Sequence, residues 1–175
     1  MSSFKLKVLL IDLSAEKDIG LVQRLSKNRF QTNYKLTVGV NISTKDVEFR
    51  RNEIATLSIW DIGTQKRFEF IHSTFYKGAT GAILIFDLNQ GETYLNTRVW
   101  LKEIRQFAGL IPFLLIGINV SLLKLLDTNA IRDEARELTL IEGGIYIETS
   151  PTSYYIIEEA IYELTKTIID LGTQD

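Results

Sequence analysis

KLKVLLIDLSAEKDIGLVQRL, residues 5–25, decides the fold. Leu6 to Ile11 is a largely apolar run and reads as a buried strand. A short polar loop follows it. From Asp18 onward, Ile19, Val22 and, on an adjoining face, Leu21 and Leu25 recur at helical spacing. Strand, loop and helix make the frame in which a phosphate-binding loop sits. The working form of that loop is G-x-x-x-x-G-K-[ST]. Its backbone amides cradle phosphates, its Lys neutralises them, and its Ser or Thr holds Mg²⁺. Laid on this frame, the four required positions are Asp12, Lys17, Asp18 and Ile19. The loop has the place and length of a phosphate loop, and none of those four side chains fits its chemistry.

The flanking segments KVLLI (7–11) and GLVQRLSKNRF (20–30) extend outward into TVGV (37–40), LSIWDIGTQKRF (57–68), STFYKGATGAILIFDL (73–88) and ETS (148–150). Together these resemble the Rab- and Ras-type small GTPases over roughly residues 4 to 171. The resemblance implies a three-layer P-loop NTPase fold, with helices on both faces of a six-stranded, mostly parallel sheet. The pattern of elements agrees. Val38 to Phe49 and Ile54 to Trp60 form a hairpin about the turn at Arg50 to Asn52. Ala79 to Leu88 and Phe113 to Gly117 are continuous apolar runs, as in strands buried on both faces. Helical spacing covers Thr93 to Phe107 through Leu95, Val99, Trp100, Ile104 and Phe107, then Asp127 to Leu138 and Tyr154 to Leu171. Ile145 to Glu148 is a short strand. Strands alternating with helices after one early hairpin give an α/β layered sheet. A single domain over 1–175 is expected.

Within that resemblance the departures carry the functional reading. Asp18 stands where a lysine should meet phosphate. Two charges about 4 Å apart interact by roughly 4 kcal/mol at an effective dielectric of about 20, so the reversal opposes binding. Asp12 adds a carboxylate and a Cβ where close backbone approach calls for glycine. Ile19 cannot ligate a hard cation. The plain structural reading of Asp18 is an acid capping a helix N-terminus. The family reads guanine with N-K-x-D, and the matching positions are Ile118, Asn119, Val120 and Ser121. Of the following S-A-K loop, only Ser150 survives. Thr37, Asp61 and Gln65 match the metal-side threonine and aspartate and the water-positioning glutamine. Between them, Thr64 replaces the glycine whose amide meets the γ-phosphate. Their plain reading is retention of local fold. His72, the only histidine, has no catalytic partner in the sequence and is expected on the surface or on a helix.

Composition bounds the rest. Hydrophobic residues make up 45% and charged residues 24% of the chain, as in an ordinary globular domain. Twenty basic against 22 acidic residues leave a formal charge of −2, so no bulk field favours nucleic acid or an anionic membrane. The chain has no cysteine, which removes disulfides, thiolate chemistry and a prenyl anchor, and suits a reducing cytosol. Ser2 follows the initiator Met where myristoylation needs glycine. A cytoplasmic protein without a lipid anchor is expected.

These readings combine into one expectation. The chain keeps a small-GTPase fold, is no enzyme, holds neither nucleotide nor metal, and acts as a constitutive protein-binding adaptor or scaffold. Its partner would be a protein, with an intact small GTPase or a regulatory scaffold as the two candidates. The resemblance puts the docking face at Ile42, Trp60 and Phe75, the positions of an apolar triad on the family's switch regions. The alternative is a divergent Rab- or Ras-like GTPase that still binds GTP or GDP with Mg²⁺ through non-standard contacts, Lys17 taking the lysine's role.

Overall fold

The computed structural model describes residues 3–14, 21, 25, 39–64, 71–119, 128–150 and 155–172. Their elements, in chain order, are β1 (Ser3–Asp12), β2 (Val40–Arg50), β3 (Glu53–Ile62), α1 (His72–Tyr76), β4 (Gly81–Asp87), α2 (Gly91–Ala108), β5 (Phe113–Ile118), α3 (Thr128–Glu142), β6 (Gly144–Glu148) and α4 (Tyr155–Gly172). Among the described residues, six strands form one sheet in the order β2-β3-β1-β4-β5-β6. Only the β2–β3 pair is antiparallel; β1 runs parallel to both β3 and β4, β4 to β5 and β5 to β6. This is the small-GTPase-like sheet, and the order reverses beside β1, where a doubly wound sheet opens a crevice for ligand.

Period-two alternation sends each strand's side chains to opposite layers. Leu6, Val8 and Leu10 join Leu57, Ile59, Leu114 and Ile116 on one face, covered by Leu21, Leu25 and the Ile157, Ile161, Leu164 and Ile168 stripe of α4. Leu9 and Ile11 join Ile62, Leu84, Phe86 and Leu115 on the other, under Phe75 and Tyr76 of α1, Tyr94 and Ile104 of α2, and Ala135 of α3. The central β4 is buried along its whole length, which explains its unbroken apolar sequence. The hairpin between β2 and β3 turns through Asn52 at φ 65°, a conformation that asparagine tolerates better than most residues. Where β6 meets β5, a Cβ at Gly144 would fall 2.5 Å from the Phe113 ring, so only glycine lets the strand end come that close.

Candidate functional site

The parallel arrangement brings the C-terminal ends of β1, β4, β5 and β6 to one edge. Asp12, Asp87, Ile118 with Asn119, and Thr149 with Ser150 are gathered there. Main-chain bonds fix the edge: the Leu13 amide donates to Ile85 O at 2.9 Å, Leu88 to Ile118 O at 3.2 Å, and Thr149 to Gly117 O at 2.9 Å.

Asp12 is 3% exposed, and its side chain folds back on its own loop. Oδ1 accepts from the Ser14 amide at 3.0 Å and also from the Ser14 hydroxyl. The carboxylate at the first glycine's place is thus held by the chain that follows it, as in a side-chain-closed turn. Asn119, at the lysine's place in the base-reading motif, is likewise tied inward. It sits at φ 64° and donates from Nδ2 to Asp87 Oδ2 at 2.8 Å, while its carbonyl accepts from Asn89 Nδ2 at 3.3 Å. The other Asp87 oxygen accepts the Asn89 amide at 2.8 Å. In the sequence, little marks Asp87. Its only signal there is a charged residue closing a run of seven buried strand positions.

Ile118 is buried at the end of β5 and Ser150 is buried after β6. Glu148, the acid of ETS, is taken up by α3: Arg132 Nε donates to its Oε1 at 2.7 Å and the Tyr146 hydroxyl donates to the same oxygen at 2.9 Å. Burial alone would raise the Glu148 carboxyl. The Arg132 and Tyr146 hydrogen bonds, with the charges of Arg132 and Arg136, outweigh it and hold the carboxyl below the ordinary carboxylate range. Lys17, Asp18, Ile19, Thr37, Gln65 and Ser121 lie outside the described residues.

The switch side is built by the β2–β3 pair. Asp61 is half-buried near the end of β3, opposite Asn41 on β2 and beside Leu10 on β1. The Gly63 amide donates to Gly39 O at 2.7 Å, joining the TVGV and WDIGT stretches. Ile42 pairs with Trp60 across the two strands, and both are half-buried. The Trp60 ring lies 6.3 Å from that of Phe75. Phe75 is only 8% exposed, because α1 turns it inward onto Ile62 and Leu9, so Ile42 and Trp60 carry the accessible part of the triad. His72 is on a helix as expected, but it is buried rather than on the surface. Its ring packs 4.9 Å from that of Trp100, because α1 lies against α2. Among the described residues no group of three or more His, Cys, Asp or Glu side chains stands ready to hold a metal, and no helix is long and apolar enough to cross a membrane.

A family model described as the Ras family matches residues 7–170. The chain is 35% identical over 158 residues to the Ras-related protein YPT3 of Nicotiana plumbaginifolia, covering 90% of this chain and 71% of that protein. It is 34% identical over 168 residues to the Ras-related protein RABA6a of Arabidopsis thaliana, covering 96% and 71%. It is 32% identical over 173 residues to the Ras-related protein Rab-32B of Dictyostelium discoideum, covering 95% and 65%. These matches overturn two expectations: that the chain is no enzyme, and that it takes no cofactor. Proteins of that family bind GTP or GDP with Mg²⁺ and hydrolyse GTP, and a match over residues 7–170 removes the ground for excluding either from this chain. The physical reason is that a phosphate loop grips largely through main-chain N–H groups at a helix N-terminus, which every non-proline residue supplies, so side-chain departures alone do not remove the grip.

Proposed function

The chain belongs to the Ras family, and on that premise we propose that it is a divergent Rab- or Ras-type GTPase that binds guanine nucleotide through non-standard contacts and engages a protein partner through its switch face. The observation that carries this reading is the match to residues 7–170, which takes in part of β1 and the whole of every other described strand. The geometry gives it support. The Asp12 and Asn119 side chains, both at motif positions, are held by Ser14 and by Asp87, so neither is left as a loose charge or donor at the strand ends. Nucleotide then rests on main-chain amides, on Ser150, and on Lys17 in place of the displaced lysine.

Mg²⁺ fits the donor chemistry of the switch side, since Asp61 and Thr37 offer the hard oxygens it prefers. The bound ion would neutralise phosphate charge, and Gln65 would orient the attacking water. The pairing of Asp61, near the end of β3, with Leu10 near the end of β1 supports this role. We assign one domain to residues 1–175 and a cytoplasmic location, in keeping with the absence of cysteine.

The test is direct. Protein purified without added nucleotide is denatured, and the released small molecules are resolved by chromatography. Folded protein is also titrated with GDP and Mg²⁺ while its melting temperature is followed. Guanine nucleotide should be released, and ligand at 100 times its dissociation constant should stabilise the fold by about 2.7 kcal/mol. Release of none, together with an unmoved melting temperature at millimolar GDP and GTP, would overturn the proposal.

A further inference from the structure

The half-exposed end of the β1–β3 face carries a charge that no carboxylate among the described residues neutralises. Lys7 lies on the same face of β1 as Leu9, and its Nζ stands 3.8 Å from the centroid of the Trp60 ring. One of its protons goes to the carbonyl of Lys77 at 2.8 Å. Among the described residues no carboxylate pairs with it, and burial lowers the pKa of its ammonium from the ordinary value. Lys5, two residues earlier on the same face, is exposed. The acids of this face lie at its other end and are engaged there: Asp46 accepts from Thr56 at 2.7 Å, and Glu48 from the Asn52 amide at 3.2 Å. Trp60 is itself oriented by donating from Nε1 to Ser58 Oγ at 3.0 Å.

We propose that Lys7, held over Trp60, is the specificity-determining residue of the docking face and receives an acidic side chain set beside an apolar anchor on a protein partner. This rests on the reading of Ile42 and Trp60 as a partner-binding face. An ammonium already stripped of part of its water and stacked on an indole has little further desolvation to lose when a carboxylate arrives. The same carboxylate beside a fully hydrated surface lysine would gain little. Trp60 and Ile42 supply the apolar contact next to it, and the acids at the hairpin end repel a partner docked in the reverse sense.

Random 16-residue peptides displayed on phage are selected against the 175-residue chain with GDP and Mg²⁺ present, and binders are measured as free peptides by calorimetry. Selected peptides should carry Asp or Glu within a few residues of a Phe, Trp or Leu. Affinity should fall roughly ten- to a hundred-fold for Lys7→Gln and be largely kept by Lys7→Arg. Lys7 also ties down the end of α1, so Lys7→Gln could lower the melting temperature by itself. The Glu→Gln change made in the peptide then removes the same ion pair from an unaltered protein, and must reproduce the loss. Peptides without an acidic preference, or equal binding to Lys7→Gln, overturn the role of Lys7 and leave the docking face standing. Binding indifferent to Trp60→Ala brings down the face as well. Self-association abolished by Trp60→Ala identifies a second copy as the occupant, and also overturns the proposal.

Discussion

Asn119 holds a backbone conformation at φ 64° that few side chains accept, and spends its amide on Asp87. Its two contributions can be separated. Asn119→Gly keeps the backbone free of strain and loses only the hydrogen bond to a carboxylate, so it should cost about 1–2 kcal/mol. Asn119→Ala loses the bond and adds left-handed strain, and should cost about 1 kcal/mol more. Denaturant melts of the two variants check the order; alanine tolerated better than glycine would mean the φ is not maintained. The Arg132–Glu148 pair gives a pH-dependent counterpart. A carboxyl held below its unfolded value stabilises the fold fully above that value, and the contribution is lost as pH falls through the folded value. Arg132→Gln should therefore cost about 1–2 kcal/mol at neutral pH, and the difference from the parent should shrink toward zero below about pH 4. A cost that stays constant across that window would assign Arg132 a packing role instead.

Helix α2 shows where periodicity reads well and where it does not. Its extent was legible, but the stripe chosen from the sequence, Leu95, Val99, Trp100, Ile104 and Phe107, is largely the outer one. Leu95, Val99 and Phe107 are exposed, while Thr93, Tyr94, Thr97, Leu101 and Ile104 are buried. Two threonines mislead a hydrophobicity pattern because their hydroxyls are satisfied inside: Thr97 donates to Tyr94 O at 2.6 Å, and the Thr93 oxygen accepts the Asp87 amide at 2.9 Å. Against α2 lies α1, whose length was not legible at all. Its Tyr76 is fully buried, and burial, then the nearby Glu103 charge, pushes the phenol's ionisation up. Among the described residues the hydroxyl makes no well-formed hydrogen bond, Glu103 approaching it only loosely. Tyr76→Phe should consequently leave stability within about 0.5 kcal/mol of the parent or raise it, whereas Tyr76→Ala should cost about 3–5 kcal/mol through the cavity it opens. A loss above about 2 kcal/mol for Tyr76→Phe would show that the hydroxyl is bonded in solution.

At the scale of the whole molecule, the fold was legible because apolar runs of strand length alternate with helical stripes, and no single residue can undo that pattern. The site was less legible, because its motif residues act through what surrounds them. Asp12 read in isolation is a repulsive charge; in place it is an acceptor for Ser14. Electrostatics nevertheless leaves a signature that can be measured. The stretch from Asp12 to Ile19 carries three acids against one base, and the chain as a whole has a formal charge of −2. Neither the net charge of the loop nor the wider field attracts phosphate, so on the proposed reading main-chain dipoles and Mg²⁺, with Lys17 acting locally, supply the attraction. In EDTA, each added phosphate should weaken binding, giving GDP a higher affinity than GTP. Raising salt from about 50 to about 300 mM should strengthen both, since screening relieves like-charge repulsion across a Debye length that shortens to about 6 Å. Asp18→Lys should reverse the salt dependence. With Mg²⁺ restored, GTP should gain more than GDP because the ion meets the additional phosphate charge. Competition against a fluorescent guanine nucleotide, run at both salt levels with and without Mg²⁺, measures all of this. If GTP binds more tightly than GDP in EDTA and both weaken as salt rises, the site is attractive, and a cation outside Asp12 to Ile19 supplies what the loop lacks.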